Sequence, residues 1–158
     1  MMTAETKAPT LHFEDFFVGQ VFESEPYEIT RDDSIKFASE FDPQEFHLDS
    51  DAADASFFKG LAVSGWHTAA IAMRLRVTTI RVKGGMVGAG IEEIRWTKPV
   101  RPGDVLRLRE EVVGTRLLTS RPDFGLVKMN STTTNQHGEI VMTMKVSALA
   151  PRRPVTMA

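Results

Sequence analysis

The fold is decided by the stretch GWHTAAIAMRLRVTTIRVKGG, residues 65–85. Apolar residues recur through it at helical spacing, and the small side chains near its start would let a sheet pack closely around it. The pair Gly84-Gly85 is typical of a helix end. We therefore predict one long helix over residues 65–83.

The flanking segments predict a second helix and a set of strands. Alternating apolar residues over 21–29 indicate a strand, and Thr30 is a candidate N-cap for an amphipathic helix over 31–41. Residues 50–56 predict a short helix or turn. After the long helix, alternation and turn signals predict four strands, at residues 90–100, 105–113, 125–134 and 140–149. Consecutive strands joined by short turns imply an antiparallel sheet, so the predicted fold class is α+β with the long helix on one face.

The composition excludes several kinds of protein. With 158 residues the chain fits one domain, which we place at residues 11–150 between mobile tails at 1–10 and 151–158. Its 19 basic and 21 acidic residues nearly balance, so neither a nucleic-acid partner nor an anionic membrane surface is expected. The sequence contains no cysteine, which excludes disulfides, thiol catalysis and Cys-based zinc sites.

The sequence also bears on cellular location and on metal binding. No apolar run reaches the roughly 18 residues typical of a membrane-spanning helix, and the N-terminus lacks the basic start and apolar core of a secretory signal. We therefore expect a cytoplasmic protein that does not span a membrane. The four histidines lie far apart and form no His-x3-His or HExxH pattern, so no metal site is expected.

A carboxylate and an imidazole stand close together in the stretch FDPQEFHLD, residues 41–49. Pro43 lacks an N–H and biases Asp42 away from helical angles, so the preceding helix should end near Phe41 and a short loop should follow. Asp42 and His47 brought together can hold one water molecule and move its protons. Each also has a plainer interpretation, Asp42 as a turn residue and His47 as a structural histidine.

Four stretches of the chain resemble one known family. They are FEDFFVGQV (13–21), FASEFDPQEFHLD (37–49), GLAVSGW (60–66) and WTKPVRPGDV (96–105). Together they resemble the MaoC-like dehydratase family, which includes the R-specific enoyl-CoA hydratases, over most of residues 11–149. The resemblance implies the hot-dog fold, in which an antiparallel sheet wraps around one long helix. It also implies a homodimer or larger homo-oligomer, because such domains pair through their sheets.

The resemblance implies a site as well. Asp42 and His47 match the catalytic pair, Gly65 matches the glycine whose backbone N–H faces the thioester carbonyl, and Ser64 borders the substrate. The sequence departs from the family pattern at Gln44-Glu45, where Asn-Pro is usual, and at Ser64, where histidine is usual. The implied reaction is syn addition or loss of water on an enoyl-CoA or (R)-3-hydroxyacyl-CoA thioester, as in fatty-acid metabolism. No cofactor is expected, since CoA is part of the substrate.

Several alternatives stay open at this point. The same fold could serve as an acyl-CoA thioesterase, or as a module that binds acyl groups without catalysis. Ser64 is also a candidate N-cap of the long helix. We expect His67 to pack or form a hydrogen bond within that helix, and Arg74, Arg76 and Arg81 to be solvated at its end.

Overall fold

The computed structural model describes residues 9–155 of the chain. Most of the predicted N-terminal tail (1–8) and the last residues of the predicted C-terminal tail (156–158) lie outside the described residues. The helices are α1 (Arg31–Phe41), α2 (Glu45–Leu48), α3 (Ser50–Asp54) and α4 (Gly65–Thr79). The strands are β1 (Val21–Glu23), β2 (Tyr27–Glu28), β3 (Val87–Trp96), β4 (Val105–Leu117), β5 (Phe124–Thr134) and β6 (Ile140–Pro151).

The strands form one antiparallel sheet in the order β1-β4-β5-β6-β3, with β2 also paired to β4. The predicted α+β class is therefore confirmed. The strand β3 pairs with β6 and lies at an edge, so it does not pair with β4, which follows it in sequence. The connection between β3 and β4 runs past the start of α4, where Val63 N–H donates to the carbonyl of Val100 at 2.8 Å. This crossing places the start of the long helix beside the end of β3.

Two apolar stripes run along α4. One stripe is buried, and its apolar residues Ile71, Ala72 and Leu75 join the main apolar core. The buried polar residues His67 and Thr68 lie nearer the start of the helix. The other stripe, Trp66, Met73 and Val77, recurs at seven and four residues and is about half exposed. The helix is thus anchored by one face and offers a second apolar face outward.

The helix α4 ends at Thr79, four residues before the predicted end at residue 83. The chain beyond it is drawn into pairing with Leu11, whose N–H donates to the carbonyl of Arg81 while the N–H of Lys83 donates to the carbonyl of Leu11. The glycine pair therefore follows a bridged segment and does not end the helix itself. A contact so distant in sequence leaves no periodic signal.

Other boundaries differ from the prediction for local reasons. The strand predicted at 21–29 is divided into β1 and β2 where the Ser24 hydroxyl accepts a hydrogen bond from the Leu108 N–H at 2.8 Å. The loop predicted after Phe41 contains the one-turn helix α2. The last strand extends to Pro151, one residue beyond the predicted domain limit at residue 150. Arg153 then pairs with Asp15 at 2.6 Å.

Arg76 is buried, contrary to the prediction that it is solvated. Its Nε lies 2.5 Å from Oε1 of Glu110 on β4, and its Nη2 donates to the hydroxyl of Ser131 on β5 at 2.9 Å. Ser131 in turn donates to Oε2 of Glu110 at 2.7 Å. These three residues form a closed polar cluster between α4 and the sheet, and both charges are compensated within it.

We expect Arg76→Met alone to lower the free energy of unfolding by about 3–5 kcal/mol, because it leaves the Glu110 carboxylate buried and unpaired. Urea denaturation followed by circular dichroism measures this loss. The matched control is Arg109→Met, which breaks an exposed pair with Glu111 and should cost less than about 1 kcal/mol. The triple variant Arg76→Met/Glu110→Leu/Ser131→Ala should recover most of the loss. Equal costs for Arg76→Met and Arg109→Met would contradict the assignment.

Candidate active site

A cavity of about 470 Å³ opens where the start of α4 meets the segment after α1 and the connection after β3. We call it the site cavity. The residues of the predicted site that line it are Asp42, His47 and Gly65. Its aromatic walls are Phe46, Phe57, Phe58, Trp66 and Trp96. Three residues that the sequence separates by up to 23 positions therefore face one space.

The Asp42–His47 pair is formed by two short helical elements. Asp42 is the C-cap of α1, which ends at Phe41 as predicted because Pro43 cannot continue the helix. The one-turn helix α2 then turns the chain back and carries His47 into the interior, where it is 4% exposed. His47 Nε2 lies 3.1 Å from Oδ2 of Asp42. The side chains predicted to share a water molecule are thus in direct contact at the cavity wall.

The partners of the His47 ring fix its tautomer. Nδ1 lies 2.6 Å from the carbonyl oxygen of Ala62, which can only accept, so Nδ1 carries a hydrogen. Nε2 faces a carboxylate oxygen, and that contact is attractive only if a proton lies between the two atoms. A carboxylate and an imidazole in contact at the edge of a cavity are the groups that a general acid–base site requires.

Asp42 accepts two further hydrogen bonds. Ser64 Oγ donates to Oδ2 at 2.7 Å, and Gln44 Nε2 donates to Oδ1 at 2.6 Å. Partial burial alone would raise the pKa of Asp42. The bonds from Gln44 and Ser64 and the charge of a protonated His47 outweigh it and hold the pKa below the usual 3.8. The two departures from the family pattern thus supply donors to the carboxylate.

Ser64 and Gly65 lie at the first turn of α4. Ser64 occupies the N-cap position, but its side chain caps no backbone N–H. Its side chain is fully buried and donates a hydrogen bond to Asp42, while its predicted contact with substrate stays a prediction. Among the described residues, no acceptor contacts the N–H groups of Gly65 and Trp66. Free N–H groups at a helix start attract negative charge.

Trp96 gives a second reason for glycine at position 65. Its indole N–H donates to the Gly65 carbonyl at 2.8 Å, and the ring lies against the first turn of α4. A Cβ on residue 65 would come within 2.6 Å of two atoms of that ring. Glycine is therefore required for the close approach of Trp96.

Other candidate groups lie apart from this site. His67 is buried in α4 and stacks on Phe37 with the ring centroids 4.5 Å apart; burial lowers its pKa, opposed by the nearby charge of Asp33. No cluster of three or more potential metal ligands occurs within residues 9–155. In the same range, no helix is both long and apolar enough to cross a membrane.

The structure brings Asp42, His47, Ser64 and Gly65 together, while their roles in catalysis stay predictions. Sequence reasoning missed three contributors: the Gln44 amide, the Ala62 carbonyl and the Trp96 indole. Gln44 could have been identified, because an amide two residues after Asp42 is within reach of its carboxylate. Ala62 and Trp96 act across 15 and 31 residues, which no local pattern indicates.

Comparison with known proteins gives matches in both sequence and fold. Residues 15–135 match the family model described as MaoC like domain. The MaoC-like dehydratase from Rhodospirillum rubrum is 45% identical and superposes with a TM-score of 0.87, covering 92% of this chain and 99% of that one. The uncharacterized protein YdeM of Bacillus subtilis is 32% identical over 144 residues, which are 90% of this chain and 100% of that protein.

A more distant solved structure is similar in fold. The R-hydratase PhaJ1 from Pseudomonas aeruginosa superposes with a TM-score of 0.74 at 24% identity, covering 94% of this chain and 97% of that one. Together with the R. rubrum structure, this similarity confirms the predicted hot-dog fold.

The hydrogen bonds to Asp42 generate a testable pH dependence. We expect Ser64→Ala to raise the pKa of Asp42 toward 3.8, because it removes one donor to the charged form. Since the pKa is depressed in the folded state, the stabilisation that these bonds provide is present above about pH 3.8. It is lost as the pH falls through the lowered pKa. NMR titration of the carboxyl carbon measures the pKa directly, with Ser39→Ala as the exposed control. An unchanged pKa in Ser64→Ala would refute the role given to this hydroxyl.

Proposed function

The chain belongs to the MaoC-like dehydratase family, and from that premise we propose that it adds water to an enoyl-CoA or removes water from an (R)-3-hydroxyacyl-CoA. Family membership supports hydratase or dehydratase chemistry at the level of the family. The observation that carries the proposal is that the Asp42–His47 pair and the free N–H of Gly65 open into one cavity.

In the proposed hydration, a water molecule in the site cavity contacts both Asp42 and His47, which remain in contact with each other. Its oxygen bonds to Cβ of the enoyl group as its proton passes to the Asp42 carboxylate. The electron pair of the Cα–Cβ double bond moves toward the thioester carbonyl. Cα then takes a proton from His47 Nε2, on the same face of the substrate, and proton transfer within the pair restores the starting state. Such acid–base assistance typically contributes about 10²–10⁴-fold in rate.

The negative charge on the thioester oxygen needs a donor, and Gly65 supplies one. Its N–H stands at the start of the 15-residue helix α4, so an unpaired donor and the positive end of the helix dipole coincide. One such donor typically contributes about 10²–10³-fold. The proposed reaction involves no net oxidation or reduction, so an acid–base pair and an N–H donor can carry it out. CoA enters only as part of the substrate.

The direct test uses Asp42→Asn and His47→Ala with crotonyl-CoA as substrate. We expect each variant to lower kcat by at least about 10²-fold, because each removes one of the two proton-transfer groups. Loss of the enoyl absorbance measures hydration. Asp51→Asn and His137→Ala change exposed residues of the same types and should leave kcat near that of the wild type.

Free thiol is measured in the same samples. Release of CoA without loss of the enoyl group would identify a thioesterase and overturn the proposed reaction. Unchanged hydration in both Asp42→Asn and His47→Ala would show that the site lies elsewhere. Binding of acyl-CoA without turnover by the wild type would identify a binding module.

We also propose that a second copy of the chain covers β3. This strand is at the edge of the sheet, and Val87 and Ile91 on it are each more than half exposed. Gly88 and Gly90 add no side chains that would keep another strand away. A long exposed apolar edge is a surface that proteins normally cover. The exposed stripe of α4 extends this surface, as expected for a self-complementary contact.

We expect light scattering to give about twice the chain mass of 17.6 kDa for the wild type. Ile91→Lys should shift the protein toward the monomer mass, because it places an unpaired charge on the covered edge. The control is Val18→Lys, which changes an equally exposed apolar residue next to the opposite edge strand β1. A monomeric wild type would overturn this proposal without affecting the test of catalysis.

A further inference from the structure

A second cavity lies on the other side of Trp66. This outer groove, about 760 Å³, runs between the exposed face of α4 and strands β3 and β6; its lining includes Met73, Val77, Ile91, Ile94 and Met144. The site cavity and the outer groove have one lining residue in common, Trp66. We propose that Trp66, held by Trp96, limits the acyl group at the Asp42–His47 pair to a short chain. This inference rests on the proposed function.

The Trp66 indole is about half exposed and has an aromatic neighbour. Trp96 packs against it edge to face, with ring centroids 5.2 Å apart and an interplanar angle of 77°. Trp96 is itself held by its hydrogen bond to the Gly65 carbonyl and by the pairing of β3 with β6 at Met142. Trp66 is on α4 and Trp96 is on β3, and we call their two rings the wall. An acyl chain that displaced the Trp66 indole would break its edge-to-face contact with Trp96.

Trp66 lies next to the expected position of the reacting atoms. A thioester oxygen at the Gly65 N–H places the acyl group beside the following residue, which is Trp66. On the other sides the site cavity is bounded by the aromatic rings of Phe46, Phe57 and Phe58. The outer groove is lined largely by apolar side chains and is larger than the site cavity, and Trp66 lines both.

A short acyl chain ends before it reaches the Trp66 indole, and a longer acyl chain comes into contact with the indole. A hydrophobic pocket discriminates by roughly 10–200-fold for a single methylene group that does not fit. Replacing the indole with a methyl group joins the site cavity to the outer groove.

The test compares kcat/KM for crotonyl-CoA and trans-2-dodecenoyl-CoA in the wild type, Trp66→Ala, Trp66→Phe and Val77→Ala. We expect the wild type to prefer crotonyl-CoA and Trp66→Ala to raise the dodecenoyl-to-crotonyl ratio by at least about tenfold. Trp66→Phe should give an intermediate ratio. Val77→Ala, which enlarges only the outer groove, should leave the ratio unchanged.

Binding is measured independently of turnover. Trp66 and Trp96 are the only tryptophans of the chain, so intrinsic fluorescence reports directly on the wall. Saturated butyryl-CoA and dodecanoyl-CoA are titrated into the wild type and Trp66→Ala, where Trp96 remains as the reporter. We expect the ratio of the two dissociation constants to shift toward dodecanoyl-CoA in Trp66→Ala by a similar factor.

Three outcomes overturn the inference: equal use of both chain lengths by the wild type, an unchanged ratio in Trp66→Ala, or an equal shift in Val77→Ala. These differ from failure of the proposed function, in which no protein in the set hydrates crotonyl-CoA. In that case the fluorescence titrations alone decide the role of Trp66, and an unshifted binding ratio rejects it.

Discussion

The hydrogen bond from Ser64 to Asp42 joins the two halves of the site. It links residues 22 positions apart, one at the end of α1 and the other at the start of α4, and it is shielded by the full burial of Ser64. Because the helix is anchored on the sheet, this bond sets the position of the carboxylate relative to the free N–H of Gly65. The spacing between the Asp42–His47 pair and the Gly65 N–H therefore depends on the packing of α4.

The helix is itself anchored by interactions of different kinds. Apolar residues such as Ile71 and Leu75 hold one face against the sheet, and the buried Arg76–Glu110 pair fixes its position along the strands. At the first turn, Trp96 packs over Gly65 and donates to its carbonyl. A helix held at several points keeps its N-terminal donors in place, which is the preorganisation that electrostatic catalysis requires.

The sequence allowed prediction of whatever depends on local pattern. Periodicity placed α1, the start of α4 and the main strands, and Pro43 placed the end of α1. Family resemblance brought Asp42, His47 and Gly65 together. The early end of α4 and the buried position of Arg76 depend on partners far along the chain, Leu11 and Glu110, whose positions are known only once the sheet has formed. For the same reason, the partner of the Ser64 hydroxyl could not be predicted.

We propose that Gly65 and the Asp42–His47 pair act on the two ends of one enoyl thioester. A crystal structure of Asp42→Asn with crotonyl-CoA tests it most directly, since this variant should bind without turnover. We expect the thioester oxygen to lie about 2.7–3.1 Å from the Gly65 N, with Cβ facing residue 42 and His47. A thioester bound away from Gly65, or an acyl group in the outer groove beyond Trp66, would contradict it.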